Sequence, residues 1–383
     1  MSDARAEAEE RAWTTTLAGY REPSRIRSVF ELAVTVVPFV TLWGLACAAA
    51  AYGHWWGLVL TVPAAGFLLR LFVIQHDCGH GAFFPTRQAN DWVGRVLGAV
   101  TLTPYGYWRR THAAHHATSG NLNQRGIGDV TTLTVAEYFA LPWPRRLAYR
   151  LYRHPAFMFG VASTFLFVVQ YRVPVGLMRA GRQPWVSTMG TNLAIALAAA
   201  VAISAVGLVP FLLVHVPITL MAAAMGVWLF FIQHQFEDTF WARPPEWRFQ
   251  HAALHGSSHY DLPPVLRWLT GHIGVHHVHH LSSRVPFYRL PAVLRDHPEL
   301  REVGRLTLRD SLRCVRLVLW DEDNRVLVSF RDIRWRLRQT DPAQAPGRGF
   351  VPTFARQTAT LAQAVWSLPL WLYLSLSPVR SRR

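Results

Sequence analysis

The sequence predicts an all-α integral membrane protein, with four transmembrane helices in two hairpins and a cytoplasmic helical cap. Three observations predict this. The 383 residues are 51% hydrophobic and only 16% charged, whereas about a quarter of an ordinary soluble domain is charged. Two long stretches, residues 32–69 and 183–236, contain no Asp, Glu, Lys or Arg. Between and after them lie three histidine-rich clusters, drawn from 18 histidines in all.

A helix needs roughly 20 apolar residues to cross a hydrocarbon core about 30 Å thick, so each uncharged stretch holds two crossings. The first breaks at Tyr52-Gly53-His54, which predicts helices over 30–51 and 55–75. The second breaks between Gly207 and Pro210, which predicts helices over 189–206 and 209–233. The basic residues set the orientation. There is no lysine, so all 39 are arginine, and the two short turns carry none of them. Nearly all sit before the first helix, in 81–188 and after the fourth helix, which makes both termini and the central segment cytoplasmic. Arg70, near the cytoplasmic end of the second helix, is placed to snorkel.

The expected organisation is therefore a cytoplasmic segment 1–29, a hairpin 30–75, a cytoplasmic segment 76–188, a second hairpin 189–233 and a cytoplasmic segment 234–383. The expected membrane is the cytoplasmic (inner) one. Residues 155–172 are a fifth apolar candidate. If they crossed, the arginines at 172, 179 and 182 would lie outside and the later histidines would face away from the earlier ones. They read instead as an interfacial or buried helix. Residues 360–376 are apolar too, but short and interrupted by Pro369.

The formal charge of +16 suits anionic lipid headgroups and an acidic protein partner. No nucleic-acid module accompanies it, so nucleic acid is not an expected partner. Cys47, Cys78 and Cys314 have neither metal nor disulfide spacing, as in a reducing compartment. The first 28 residues are polar and charged, which predicts no secretory signal.

The chemistry lies in the histidines. HDCGH contributes His76 and His80, HAAHH contributes His112, His115 and His116, and HHVHH repeats that spacing with His276, His279 and His280. Residues three and four apart share a helix face. One HxxxH is most often a pair of surface or capping histidines, but three such clusters in one chain point to a metal site. His76 follows the second membrane helix and His234, in IQHQFED, follows the fourth. Both helices run from outside to inside, so nine imidazoles can converge at the cytoplasmic face.

Imidazole suits Zn, Cu, Fe and Ni. Zinc takes four ligands, or three and a water, so nine histidines are too many for one ion and fit a di-metal site with open positions. Two redox-active irons would let such a site activate oxygen. Asp77, Asp129, Glu237 and Asp238 could accept the free ring N–H of ligating histidines, or serve as solvated charges and caps. His54 and His215 lie near the outer face and read as structural. His277 is about 100° around a helix from His276 and should face away.

Four passages carry a resemblance: HDCGHGAFF, WRRTHAAHHATSGNLNQRGIGDVTTLT, FFIQHQFEDTFW and GSSHYDLPPVLRWLTGHIGVHHVHHLSSRVPFYRLP. With them the chain resembles the membrane-bound fatty acid desaturase family, and bacterial acyl-lipid desaturases in particular. The resemblance implies four membrane helices, a cytoplasmic cap, two non-haem irons held by histidines, and O2 as co-substrate for a double bond in a lipid acyl chain. Carried over by position, the eight box histidines are ligands and His234 is a ninth. Two departures stand out. His272 occupies a position where relatives mostly carry asparagine, and His259 one where they often carry tyrosine. His272 is expected beside the metals, holding a water or an exchangeable position.

The chain has no haem-binding HPGG segment, flavin fingerprint or iron–sulfur cysteine set. Electrons must then come from a separate ferredoxin or b-type cytochrome with its reductase. A lipid or carotenoid hydroxylase would share the boxes, but the GSSHYDLPPVLR passage favours a desaturase. A metal transporter needs ionisable ligands midway through its helices, and these midplanes are apolar. A bis-histidine haem protein needs paired histidines on facing helices, which are not evident here.

Overall fold

The computed structural model describes residues 12–126 and 128–333. The apolar stretch 360–376 lies outside the described residues. The helices, in chain order, are α1 (Arg25–Ala51), α2 (Thr61–His80), α3 (Arg87–Val100), α4 (Tyr105–Thr118), α5 (Val135–Ala140), α6 (Trp143–Tyr152), α7 (Ser163–Val168), α8 (Arg182–Val206), α9 (Leu208–His234), α10 (Phe249–His255), α11 (Pro264–Leu269), α12 (His276–Leu281), α13 (Leu290–Asp296) and α14 (Leu308–Cys314). The chain is mostly helical rather than purely so. Among the described residues, five strands of two or three residues also form: β1 (Leu133–Thr134), β2 (His259–Asp261), β3 (Arg305–Thr307), β4 (Leu319–Asp321) and β5 (Val326–Val328). β1 pairs parallel with β4, which pairs antiparallel with β5, and β2 pairs parallel with β3.

Among the described residues, four helices are long and apolar enough to cross a membrane: α1, α2 with its preceding 3-10 turn Trp55–Leu60, α8 and α9. All four match expected spans and run further at the histidine-bearing end, α9 by one residue and the other three by five to seven. α1 starts at Arg25 because the Ser24 hydroxyl accepts a hydrogen bond from Arg27 N–H and caps the first turn. α2 continues to His80 and stops at Gly81, whose φ of +68° sets the left-handed residue that ends a helix. His76 and His80 thus lie on the last turns of α2 rather than beyond it, and His234 is the last residue of α9.

α2 is the central helix. In its apolar window 61% of residues are buried inside the protein, against 6% for α8, so α8 turns most of its surface outwards. Arg70 explains part of this difference and corrects an expectation. It does not snorkel: it is fully buried. Its guanidinium donates to Glu31 at 2.5 Å, to the Thr35 hydroxyl at 3.1 Å and to the Trp268 carbonyl, and lies 4.1 Å from the Trp268 ring centroid. An ionised group at this depth is tolerated only when paired and hydrogen-bonded.

The fifth candidate is bent. A π-helical turn Phe157–Ala162 leads into α7 and a 3-10 turn Gln170–Arg172, and the whole lies at 71° to α6. Phe159 packs edge-on against Trp228 and Phe231 of α9, with centroids 5.0 and 5.5 Å apart. Arg172 reaches α8 through Asn192 at 2.8 Å.

Candidate metal centre

Close packing brings the clusters together. Gly79 sits where a Cβ would come within 2.9 Å of the Trp108 ring, so α2 and α4 approach where HDCGH meets HAAHH. The start of α4 is held by α8: Ser187 Oγ accepts from the N–H groups of Gly106 (2.9 Å) and Tyr107 (3.2 Å). α12 is only six residues long. The Ser258 carbonyl receives His276 N–H at 3.1 Å, and His259 bridges to Val275, so the β2 segment fixes where α12 begins.

All nine histidines meet. His76, His80, His112, His116 and His279 form one group, and His115, His234, His276 and His280 the other, with the ligand atoms of each group within 4.8 Å of one another. The groups do not follow the clusters. In HAAHH the outer pair, one helical turn apart, enters the first group while His115 crosses to the second. In HHVHH the outer pair enters the second group while His279 crosses to the first. Each H-x-x-H-H pattern therefore links the two groups, and the His116 and His280 rings, one from each, stack at 4.1 Å.

The residues fit metal ions. His115 and His276 each place Nε2 3.1 Å from Nε2 of His234, and the pairs His116–His112 and His280–His276 do the same. Nitrogens about 2.1 Å from one ion and at right angles to each other are about 3.0 Å apart. Nε2 of His80 and of His279 are buried with no hydrogen-bond partner, which is costly unless something else satisfies them. Burial, reinforced by neighbouring imidazoles, pushes His112, His116, His276, His279 and His280 well below the usual imidazole range. They stay neutral, which is the ligating form.

The outward nitrogens are fixed where a partner exists. Asp129 takes His115 Nδ1, and Asp77 Oδ1 lies 3.1 Å from His76 Nδ1 while its other oxygen accepts Phe287 N–H at 2.7 Å. His234 Nδ1 lies 3.2 Å from the Gly256 carbonyl. Glu237 and Asp238 are exposed, so the carboxylate expected to orient His234 is replaced by that carbonyl. Gly256 has no signal in the sequence, because nothing in spacing shows that a carbonyl 22 residues on returns to the ring.

The structure leaves His272 out of both groups. It sits in a turn at φ +54°, its Nδ1 is buried without a partner, and burial with Arg70, Arg267 and Arg27 lowers it to about 4. His277 Nε2 donates to the Leu300 carbonyl (2.8 Å), and His259 Nδ1 lies 2.6 Å from the Arg301 carbonyl. His215 stacks on Phe211 and His54 lies by Trp56.

A small apolar cavity of about 30 Å³ lies between α2 and α9, lined by Leu68, Leu69, Phe72, Leu102, Phe167 and Ala222 among others. Phe72 packs edge-on to Trp108 (5.5 Å), and Trp108 stacks on His112 (4.5 Å). Two aromatic rings separate the cavity from the first histidine group.

The chain matches the family model described as fatty acid desaturase over residues 53–310. It is 44% identical over 321 residues to a fatty acid desaturase of Bacillus subtilis (strain 168), covering 84% of this chain and 91% of that one. Two relatives from Synechocystis sp. (strain ATCC 27184 / PCC 6803 / Kazusa) also match. An sn-1 acyl-lipid omega-3 desaturase (ferredoxin) is 29% identical over 290 residues, 70% of this chain and 74% of its own. An sn-1 oleoyl-lipid 12-desaturase is 28% identical over 249 residues, 62% and 68%.

Proposed function

The chain belongs to the fatty acid desaturase family, and from that premise we propose that it is an oxygen-dependent acyl-lipid desaturase working at a histidine-held di-iron centre. One observation carries this reading: nine histidines, seven buried and two half-buried, gathered in two adjacent groups near an apolar cavity. The overall change is loss of two hydrogens from adjacent methylenes, with O2, two electrons and two protons giving an alkene and two water molecules.

Iron at the two groups would supply the oxygen chemistry when bound. His76, His80, His112, His116 and His279 would hold one ion, and His115, His234, His276 and His280 the other. The chain's own part is to keep imidazoles neutral, aim their Nε2 atoms inward through Asp77, Asp129 and Gly256, and exclude water from the site. The apolar walls of Leu68, Leu69 and Phe72 offer the kind of surface an acyl chain prefers, and at about 30 Å³ the cavity would have to open further to admit one.

The proposed topology has two membrane hairpins, 30–75 and 189–233 with the helix extensions described above. Segments 1–29, 76–188 and 234–383 form the cytoplasmic side, including the cap that carries the histidines. The membrane would be the inner membrane of a bacterium. The electron donor would be a separate protein. Two relatives carry ferredoxin in their names, and an acidic ferredoxin with its reductase suits a chain of charge +16.

The test is expression in a host without desaturases, with double bonds located by mass spectrometry and oxygen withheld in parallel. The expected result is a new unsaturated lipid, formed only with oxygen, by a chain holding two irons. An active preparation containing zinc alone would overturn the di-iron reading. A hydroxylated lipid as the sole product would favour the hydroxylase alternative on the same scaffold.

A further inference from the structure

Arg70 and Asp77 lie seven residues apart on α2, nearly two turns and so on almost one face. Both grip the segment that carries HHVHH, on either side of it. Arg70 donates to the Trp268 carbonyl, eight residues before His276, and Asp77 accepts the Phe287 N–H at 2.7 Å, seven residues after His280. The two grips also meet, because the Arg70 guanidinium lies 5.2 Å from the Phe287 ring centroid as well as 4.1 Å from that of Trp268. From Phe287 the connection runs through Asp77 to His76 Nδ1. Glu31 and Thr35 of α1 fix the guanidinium from behind. Trp268 is half-buried and the rest of the arrangement is buried: the side chains of Arg70 and Glu31 are 1% and 2% exposed.

An ionised pair this deep in a membrane-spanning bundle gives little stability that an apolar pair could not give. Its placement suggests another task. α12 is one short helix with turns on both sides, yet it must deliver His279 to one group and His276 and His280 to the other. We infer that Arg70 is a positioning residue which, with Asp77, clamps the 268–287 segment to α2 and so sets His279 against His76 and His80. This rests on the metal reading above, and it gives the buried arginine a role that charge balance alone does not supply.

The test uses the full chain in detergent, with Glu31→Leu and Arg70→Leu combined, so that no unpaired charge remains buried. Insertion and elution should match the wild type. On metal-free protein, amide exchange across 268–287 should rise about tenfold or more, while α4 stays protected. Cobalt(II) titration should show tight binding of one ion instead of two, the weakened site losing about 10–100-fold in affinity. Normal protection of 268–287 with two tight cobalt ions would overturn the clamp and leave Arg70 as charge compensation for Glu31.

If the double variant fails to insert, Arg70→Lys carries the test. It keeps a charge for Glu31, but a single ammonium cannot span Glu31, Thr35 and the Trp268 carbonyl together. The same two readouts should move in the same direction, and wild-type values for both would overturn the clamp. The exchange measurement needs no metal. A wild-type chain that bound no cobalt would therefore strike the metal reading, and the clamp would then stand or fall on exchange.

Discussion

A buried imidazole has two nitrogens to satisfy, and in this centre they are dealt with differently. Nδ1 of His76, His115 and His234 faces Asp77, Asp129 and the Gly256 carbonyl, which leaves Nε2 aimed at other imidazoles. Replacing His115 or His279 with Ala should therefore abolish product and lower metal content, yet leave insertion intact, because the apolar helices are untouched. Product assays on membranes with equal protein levels would show it. Asp129→Asn should be milder, with a loss of about 10–100-fold in metal affinity or activity. His234→Ala should be dead and His272→Asn active, since His234 belongs to a group and His272 to neither. The reverse ranking, with an iron-poor His272→Asn, would show the two roles exchanged. The nine histidines were legible from spacing and from their places at helix ends. Of the partners of their outer nitrogens, the carboxylates Asp77 and Asp129 were legible, 1 and 14 residues from their histidines, and the Gly256 carbonyl was not. Glu237, also near, turns to solvent.

Elements differ in how far they can be read. Long uncharged runs announce α1, α2, α8 and α9, because a bilayer demands length and apolarity together. The three-residue strands have no such signature. Arg70 was misread because its carboxylate lies 39 residues away on another helix and its carbonyl partner 198 residues away. β2 and the turn before α12 carry the two departures from the family pattern, and these give a pH prediction. His259 is lowered, mainly by burial, and His272 is lowered to about 4. Unfolded histidine titrates near 6.5. The unfolded chain thus takes up protons that the folded chain refuses, so stability is complete above about pH 6.5 and falls as the pH drops towards 4. Metal-free protein should melt at a lower temperature at pH 5 than at pH 7.5. His259→Tyr with His272→Asn should flatten that slope, by about 1 kcal/mol per pH unit from His272 where it is steepest, with His259 adding in the same direction. An unchanged slope in the double variant would mean that other histidines carry the whole effect.

At the scale of the whole molecule, the histidine groups constrain the topology by parity. HAAHH lies before α6 and HHVHH lies after α9, yet each group mixes members of both. The chain must therefore cross the membrane an even number of times between His116 and His276. In the proposed topology α8 and α9 would supply two crossings, and a third through 155–172 would send His276 to the wrong side. The 71° bend between α6 and the segment that follows, and the packing of Phe159 on α9, agree with a piece that enters and does not cross. Cysteine labelling of intact cells would test this directly, because Cys47, Cys78 and Cys314 are all buried and should stay silent to an impermeant thiol reagent. Gly53→Cys and Gly207→Cys, in the two short turns, should label from outside. Arg179→Cys, between α7 and α8, should label only after the membrane is opened. Labelling of Arg179→Cys from outside would make 155–172 a crossing, and no arrangement of α8 and α9 could then keep His115 and His276 on one metal.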